Sequence, residues 1–201
     1  MLTLFHSPKS RSTRVVALLK ELDALDAVTV ETVSVSRLDG SGEPDRRNPH
    51  PEGKVPLLLH DGVAVWESSA IMLHLADLFP RATLNVPTGD PRRGAYLSWF
   101  AWYAGVVEPV LTLEAAGLAA HPVVGATFRS SREIQARLAA ALADRPFLLG
   151  DSFTAADLLL HSPYAWYGKP GIVSIDAWVD RCMARPGAAF ATAFDAARLP
   201  A

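Results

Sequence analysis

The side chains best placed to do chemistry fall into two short runs. One is Ser7-Pro8-Lys9-Ser10-Arg11-Ser12, three hydroxyls between a short apolar strand and the helical stripe Val15, Leu18, Leu19 and Leu22. The other runs from Gly53 to Ser68, Gly-Lys-Val-Pro-Leu-Leu-Leu-His-Asp-Gly-Val-Ala-Val-Trp-Glu-Ser. It reads as a Pro-led strand, an Asp-Gly turn, a second short strand and a helix opened by Glu67 and Ser68. Pro56 has no N–H to give to a ladder, so it demands a sheet edge or a special bend, and a cis Val55–Pro56 peptide is one way to make that bend. The N–H and C=O of Val55 are then left for an extended peptide, adding to the sheet edge like an extra strand. Ser68 and Ser69 precede the stripe Ile71, Met72, Leu75, Leu78 and Phe79. The free N–H groups of that helix therefore face back toward the Val-Pro edge, where a ligand carboxylate would be held. These residues describe a site for a small peptide.

The elements that must position them follow from periodicity. A strand is expected near 2–6, a helix near 12–24, a Val/Thr-rich strand near 28–35, strands near 56–60 and 63–66, and a helix near 68–79. Pro80, Pro87 and Gly89 mark a linker over 81–89. From Asp90 onward strand signals vanish. Asp90 as N-cap with Pro91 at the first helical position opens a long helix carrying Tyr96, Leu97, Trp99, Phe100, Trp102 and Tyr103, which Pro109 should kink or end. A second helix is expected near 124–144, with Ile134, Leu138 and Leu142 on one face. Further on, Thr154 and Asp157 have the spacing of a capping box, and Phe153 and Leu158 that of a hydrophobic staple; losing the box should cost ~1 kcal/mol or more.

A strand, a serine-rich loop and a helix, followed by Val-Pro and Glu-Ser, resembles the glutathione transferase family. The aromatic-Thr-x-Ala-Asp pattern at Phe153–Asp157 is similar to the folding motif of that family's helical domain, and the resemblance covers the whole chain. It implies an α/β thioredoxin-like N-terminal domain over 1–80 followed by an all-α C-terminal domain over 90–201. It also implies a bacterial-type, cytosolic, serine-type enzyme of detoxification, with glutathione as co-substrate, a small hydrophobic electrophile as partner, and pairing into a homodimer. Only the thiolate of glutathione attacks electrophiles, and lowering a thiol pKa by ~2 units corresponds to about 2.7 kcal/mol, within reach of one or two hydrogen bonds and a helix N-terminus.

On the resemblance, Ser10 is the first choice for the donor to the thiolate, because its spacing to Arg14 matches serine-type members. Ser12 is second, on another register, and Ser7 third. Val55 would pair its backbone with the cysteinyl part, with Pro56 in cis; Glu67 would hold the γ-glutamyl ammonium, Ser68 its carboxylate, and Lys54 the glycyl carboxylate. Trp99, Trp102, Tyr103 and Trp166 would line the electrophile pocket. Plainer readings stay open beside these: the serines cap a helix, Glu67 is a first-turn acid complementing the helix dipole, and the aromatics are core. Two departures stand out. His50-Pro51-Glu52 intervenes between Asn48-Pro49 and the Gly-Lys-Val-Pro segment, and Arg11 stands in the region where beta-type members carry a catalytic cysteine.

Composition narrows the alternatives. With 201 residues, half of them apolar, a net charge of -2 and no clustered Lys/Arg run, the chain is not built for nucleic acid or an anionic membrane; Arg46-Arg47 and Arg92-Arg93 read as solvated pairs. No segment approaches the ~18 apolar residues of a membrane span, and Met1–His6 lacks a charged leader, so a cytoplasmic protein is expected. Cys182 is the only cysteine and sits on the stripe Ile175, Trp178, Val179 and Met183, which reads as core. The six histidines have no metal-ligand spacing, so no metal is expected, and Gly40 and Gly42 read as a connection, not a phosphate loop. The competing functions are a glutathione-dependent peroxidase, reductase or isomerase on the same scaffold, and a glutathione-fold binding protein without turnover.

Overall fold

The central strand is β1 (Leu2–His6), whose alternation puts Leu2, Leu4 and His6 on one face. The computed structural model describes residues 1–37, 39–80 and 83–199. Two compact units divide the chain: residues 1–85 together with 184–201, and residues 86–183. In the first unit a four-stranded sheet has the order β2-β1-β3-β4, with β2 at Val28–Thr32, β3 at Leu57–His60 and β4 at Val63–Trp66. β1 runs parallel to β2, which requires the crossover helix α1 (Thr13–Glu21), and antiparallel to β3, which turns back into β4 through Asp61-Gly62. This is the thioredoxin-like arrangement expected. α1 buries Val15, Val16, Leu18 and Leu19, and α2 (Ser68–Leu78) buries Ile71, Met72 and Leu75, all fully inaccessible.

Three details differ from the sequence pattern. α1 ends at Glu21, not near 24, and Asp23 follows with φ 53°. β2 stops at Thr32, because its partner β1 ends at His6, whose carbonyl accepts the Val33 N–H at 2.9 Å. Pro56 does not lead an edge strand: β3 lies between β1 and β4, and the ladder's last pair is Phe5–Leu57, so the proline's missing N–H falls one residue beyond it. The Val55–Pro56 bond is cis.

The last helix, α10 (Pro186–Ala196), packs on α1 and so joins the first unit, where sequence pattern groups it with the helical remainder. The contact is close: a Cβ on Gly187 would lie 2.6 Å from the Ala17 carbonyl oxygen and 2.7 Å from Glu21 Cγ. Glu21 accepts from the Gly187 N–H at 2.8 Å and from the Arg185 guanidinium at 2.5 Å.

The second unit is helical among the described residues. Its first helix, α3 (Arg93–Trp102), starts two residues later than expected, because the Asp90 carboxylate accepts the Arg92 N–H at 2.8 Å in a turn ahead of it. The break comes before Pro109: residues Tyr103–Val107 form a π-helical turn, and α4 runs over Glu108–Ala115. Proline cannot donate to the Gly105 carbonyl and crowds it, so the chain widens by one residue, with the Glu108 N–H reaching back to the Tyr103 carbonyl. The single helix expected near 124–144 is two, α5 (Pro122–Thr127) and α6 (Ser131–Ala141). Ser130 is in extended conformation and its N–H donates to the Glu133 carboxylate at 3.0 Å, a Ser-x-x-Glu capping box that starts a new helix. Linker residues 81 and 82 lie outside the described residues.

The Thr154–Asp157 box opens α7 (Ala155–His161), followed by the one-turn α8 (Tyr164–Tyr167) and by α9 (Val173–Met183). Asp157 is fully buried and accepts four bonds: from the Thr154 N–H at 2.9 Å and hydroxyl at 2.8 Å, the Leu148 N–H at 2.8 Å and the Trp178 indole at 3.0 Å. Burial pushes its carboxyl pKa up, against the pull of those donors. The box is thus a tie between the 147–154 loop, α7 and α9. Cys182 is buried beside Trp178 and Val179 on α9, while Met183 at the end of the stripe is exposed.

Candidate functional site

The loop from β1 into α1 brings the three serines together. The Ser10 hydroxyl donates to the Ser7 carbonyl at 2.7 Å and lies 2.7 Å from the Ser12 hydroxyl. Ser12 occupies the N-cap position of α1, yet its hydroxyl caps nothing there; it accepts the Ser7 N–H at 3.1 Å and lies 2.8 Å from His6 Nδ1. Ser12 is 0% exposed, whereas Ser10 is partly accessible. Arg37, just after β2, holds the same loop by donating to the Pro8 carbonyl at 3.0 Å. Behind the serines, His6 Nε2 lies 3.2 Å from Asp195 Oδ1 on α10. The other Asp195 oxygen accepts from the Lys9 N–H and the Thr13 hydroxyl, each at 2.6 Å. Burial alone would raise the Asp195 carboxyl, but these bonds and His6 outweigh it and hold the pKa below its usual value.

Val55 is anchored by its side chain against Phe5, Val33 and Leu57. No hydrogen bond from the described residues occupies its backbone N–H or C=O. The intervening His50-Pro51-Glu52 folds as a turn, closed by the Gly53 N–H on the His50 carbonyl at 2.9 Å. Glu52 pairs with Lys54 at 2.5 Å, an exposed ion pair that is easily broken. Glu67, the residue before α2, has φ 66° and ψ 123°, a conformation rare for a residue with a side chain and costing of order 1–3 kcal/mol. Its side chain is exposed and makes no capping bond. Ser68 is buried at the first turn of α2, and the buried Arg14 guanidinium reaches its hydroxyl at 3.5 Å. Arg14 thereby places a positive charge at the uncapped start of a helix, an arrangement suited to an anion.

In the second unit, Trp99 and Trp102 are half-buried and meet edge to face, with the Arg137 guanidinium over both rings. Tyr103 is 1% exposed and part of this unit's core, while Trp166 is exposed. No three His, Cys, Asp or Glu side chains among the described residues are grouped to hold a metal ion. Sequence reasoning weighed the histidines only as metal ligands and missed His6; it missed Asp195 altogether. The Ser10-to-Arg14 spacing was the one signal that pointed at Arg14.

A thioredoxin-like sheet with a serine-bearing loop after its first strand and a cis-proline just ahead of β3 is continued in sequence by a helical region. Residues 1–77 match the family model described as glutathione S-transferase, N-terminal domain. Glutathione S-transferase GST-4.5 of Xanthomonas campestris pv. campestris is 27% identical over 82% of this chain and 81% of its own length. A sphingomonad glutathione S-transferase solved in complex with glutathione is 26% identical, with a TM-score of 0.70 over 96% of this chain and 98% of that one. The theta class glutathione S-transferase of Xanthomonas axonopodis pv. citri, solved with glutathione bound, is 25% identical, with a TM-score of 0.72 over 95% and 96%. The chain spans only 47% and 29% of the length of two other curated relatives, from Streptococcus mutans and Schizosaccharomyces pombe. Residues 1–77 thus carry a glutathione S-transferase N-terminal domain, and the chain shares the fold of these transferases over nearly its whole length.

Among the described residues no helix is long and apolar enough to cross a membrane.

Proposed function

We propose that this chain is a serine-type glutathione transferase that ionises the glutathione thiol and directs it at a small hydrophobic electrophile. The observation that carries the reading is the presence, in one compact unit, of three complementary features: the accessible Ser10 hydroxyl, the unengaged Val55 backbone beside cis-Pro56, and Ser68 with Arg14 at the start of α2. In this reading Ser10 turns its hydroxyl from the Ser7 carbonyl to the sulfur and donates to the thiolate. The backbone of Val55 pairs with the cysteinyl residue. Ser68, the α2 N-terminus and Arg14 hold the γ-glutamyl carboxylate, and the exposed Glu67 carboxylate takes the ammonium. Lys54 reaches the glycyl carboxylate by leaving Glu52. Trp99 and Trp102 keep accessible surface for an apolar electrophile; the buried Tyr103 supports them from the core.

A homodimer in the cytoplasm completes the proposal. A role for Cys182 in thiol exchange is disfavoured by its burial, which speaks for conjugation over reductase chemistry that needs a protein thiol. The test is a calorimetric titration with reduced glutathione, followed by ultraviolet detection of the bound thiolate and conjugation of an aromatic halide. Saturable binding and a Ser10→Ala variant whose bound thiol has a pKa higher by about 1–2 units support the assignment. Absence of binding at millimolar glutathione refutes it.

A further inference from the structure

A line of close polar contacts leads from the accessible Ser10 into the core of the first unit, hydrogen-bonded as far as His6 and closed by a His6–Asp195 ion-pair contact. Ser10 Oγ is 2.7 Å from Ser12 Oγ, which is 2.8 Å from His6 Nδ1, and His6 Nε2 is 3.2 Å from Asp195 Oδ1. His6 is 0% exposed, so the imidazole exchanges hydrogen bonds only with protein groups. Among the described residues Nε2 and Oδ1 have no hydrogen-bond partner and face each other. The Asp195 carboxylate cannot swing away, because its second oxygen is fixed by the Lys9 N–H and the Thr13 hydroxyl.

With the proton on Nε2, the nitrogen on the side of Asp195, Nδ1 is the ring's acceptor. The Ser12 hydroxyl then has two acceptors within reach, His6 Nδ1 at 2.8 Å and the Ser7 carbonyl at 3.1 Å, and the relay uses the shorter contact. The Ser12 oxygen has lone pairs for the Ser7 N–H and, once the Ser10 hydroxyl turns away from the Ser7 carbonyl, for that hydroxyl as well. This is the base-and-orienter arrangement of a serine-histidine-aspartate system, with a second hydroxyl inserted between the imidazole and the outside. Asp195 is the charged group that faces the ring; from the same helix Phe194 lies edge-on to it at 5.5 Å between centroids, with the Arg198 guanidinium 3.4 Å from the Phe194 centroid.

We propose that His6, held by Asp195, is the general base that takes the proton of the bound thiol through Ser10 and Ser12. This rests on the reading of Ser10 as the residue that meets the sulfur. The thiol proton passes to Ser10 Oγ as the Ser10 proton passes to Ser12 Oγ and the Ser12 proton to His6 Nδ1. The S–H bond breaks, its electron pair stays on sulfur, both serines end neutral, and the net products are a thiolate and an imidazolium paired with Asp195. His6 and Ser12 thus carry the proton, and Asp195 is a positioning residue.

The test uses the full chain, reduced glutathione, and the Asp195→Asn and Ser12→Ala variants. Three quantities are read: thiolate absorbance against pH, the protonation of the His6 ring nitrogens by NMR, and the protons released on binding, by calorimetry in buffers of different ionisation enthalpy. In the unaltered protein the His6 ring gains a proton as the thiolate forms, and fewer protons reach the buffer than thiolates appear. In both variants the bound thiol's pKa rises by about one unit or more, and His6 stays as it was before binding. Ser12→Ala removes a single hydroxyl and carries the test if Asp195→Asn fails to fold. A His6 ring unchanged on binding, or variants that form thiolate as the unaltered protein does, overturns the relay while leaving the Ser10 assignment standing. No glutathione binding by the unaltered protein overturns that assignment, and the relay with it.

Discussion

Replacing Asp157 with alanine should unfold the second unit's packing more than any surface change, and the cost can be worked from its four bonds. The substitution strands the buried Leu148 N–H, Thr154 N–H and Trp178 indole N–H, and removes the hydroxyl's partner. Each stranded buried donor costs roughly 1–3 kcal/mol, so three give about 3–9 kcal/mol. Two effects pull the sum to the low end: the buried carboxyl's own desolvation is relieved, and water can reach groups next to the new cavity. About 4 kcal/mol is the expected loss, well above the ~1 kcal/mol of an isolated helix cap. For a chain of this size that corresponds to a drop of roughly 8–16 °C in the thermal midpoint. Urea unfolding followed by tryptophan fluorescence gives the free energy, because Trp178 reports on the site directly. Asp157→Asn keeps one acceptor and should cost about half as much. A loss below about 1 kcal/mol for Asp157→Ala would refute the view of Asp157 as a three-way tie and reduce it to a simple cap.

Other outcomes follow from the first unit. Because the Asp195 carboxyl is held below its usual pKa in the folded protein, its contribution is complete above about pH 4 and is lost as pH falls through the folded value; the stability gap between the unaltered protein and Asp195→Asn should therefore narrow in acid, read as thermal midpoints against pH. Gly187→Ala forces a methyl group onto the Ala17 carbonyl and Glu21, and should destabilise by about 1–3 kcal/mol in chemical denaturation, whereas an alanine at the open Gly94 should not. Light scattering at micromolar concentration should return twice the chain mass if the proposed homodimer forms; a single-chain mass would count against it.

Local chemistry was legible in the sequence, and long-range assembly was not. Val55-Pro56, Asp61-Gly62 and the Thr154-Asp157 box each specify their geometry within a few residues, so their elements stand where the pattern places them. The break at Ser130 was also written locally, as Ser-x-x-Glu, but a continuous apolar stripe through Ile134 and Leu138 masked it. The π-helical turn before Pro109 depends on how the chain accommodates a missing donor, which spacing alone does not fix. His6 and Asp195 meet across nearly the whole sequence, and neither neighbourhood carries a motif. Only the packing of α10 on α1, made possible by the bare Cα of Gly187, brings them together.

That meeting of His6 and Asp195 has a consequence for the way the chain tolerates damage. The carboxylate beside the imidazole is delivered by α10, which is joined to the sheet only through a long stretch of intervening chain. A single proteolytic cut between α9 and α10 would leave every strand of the sheet uncut and still free the carboxylate from the histidine.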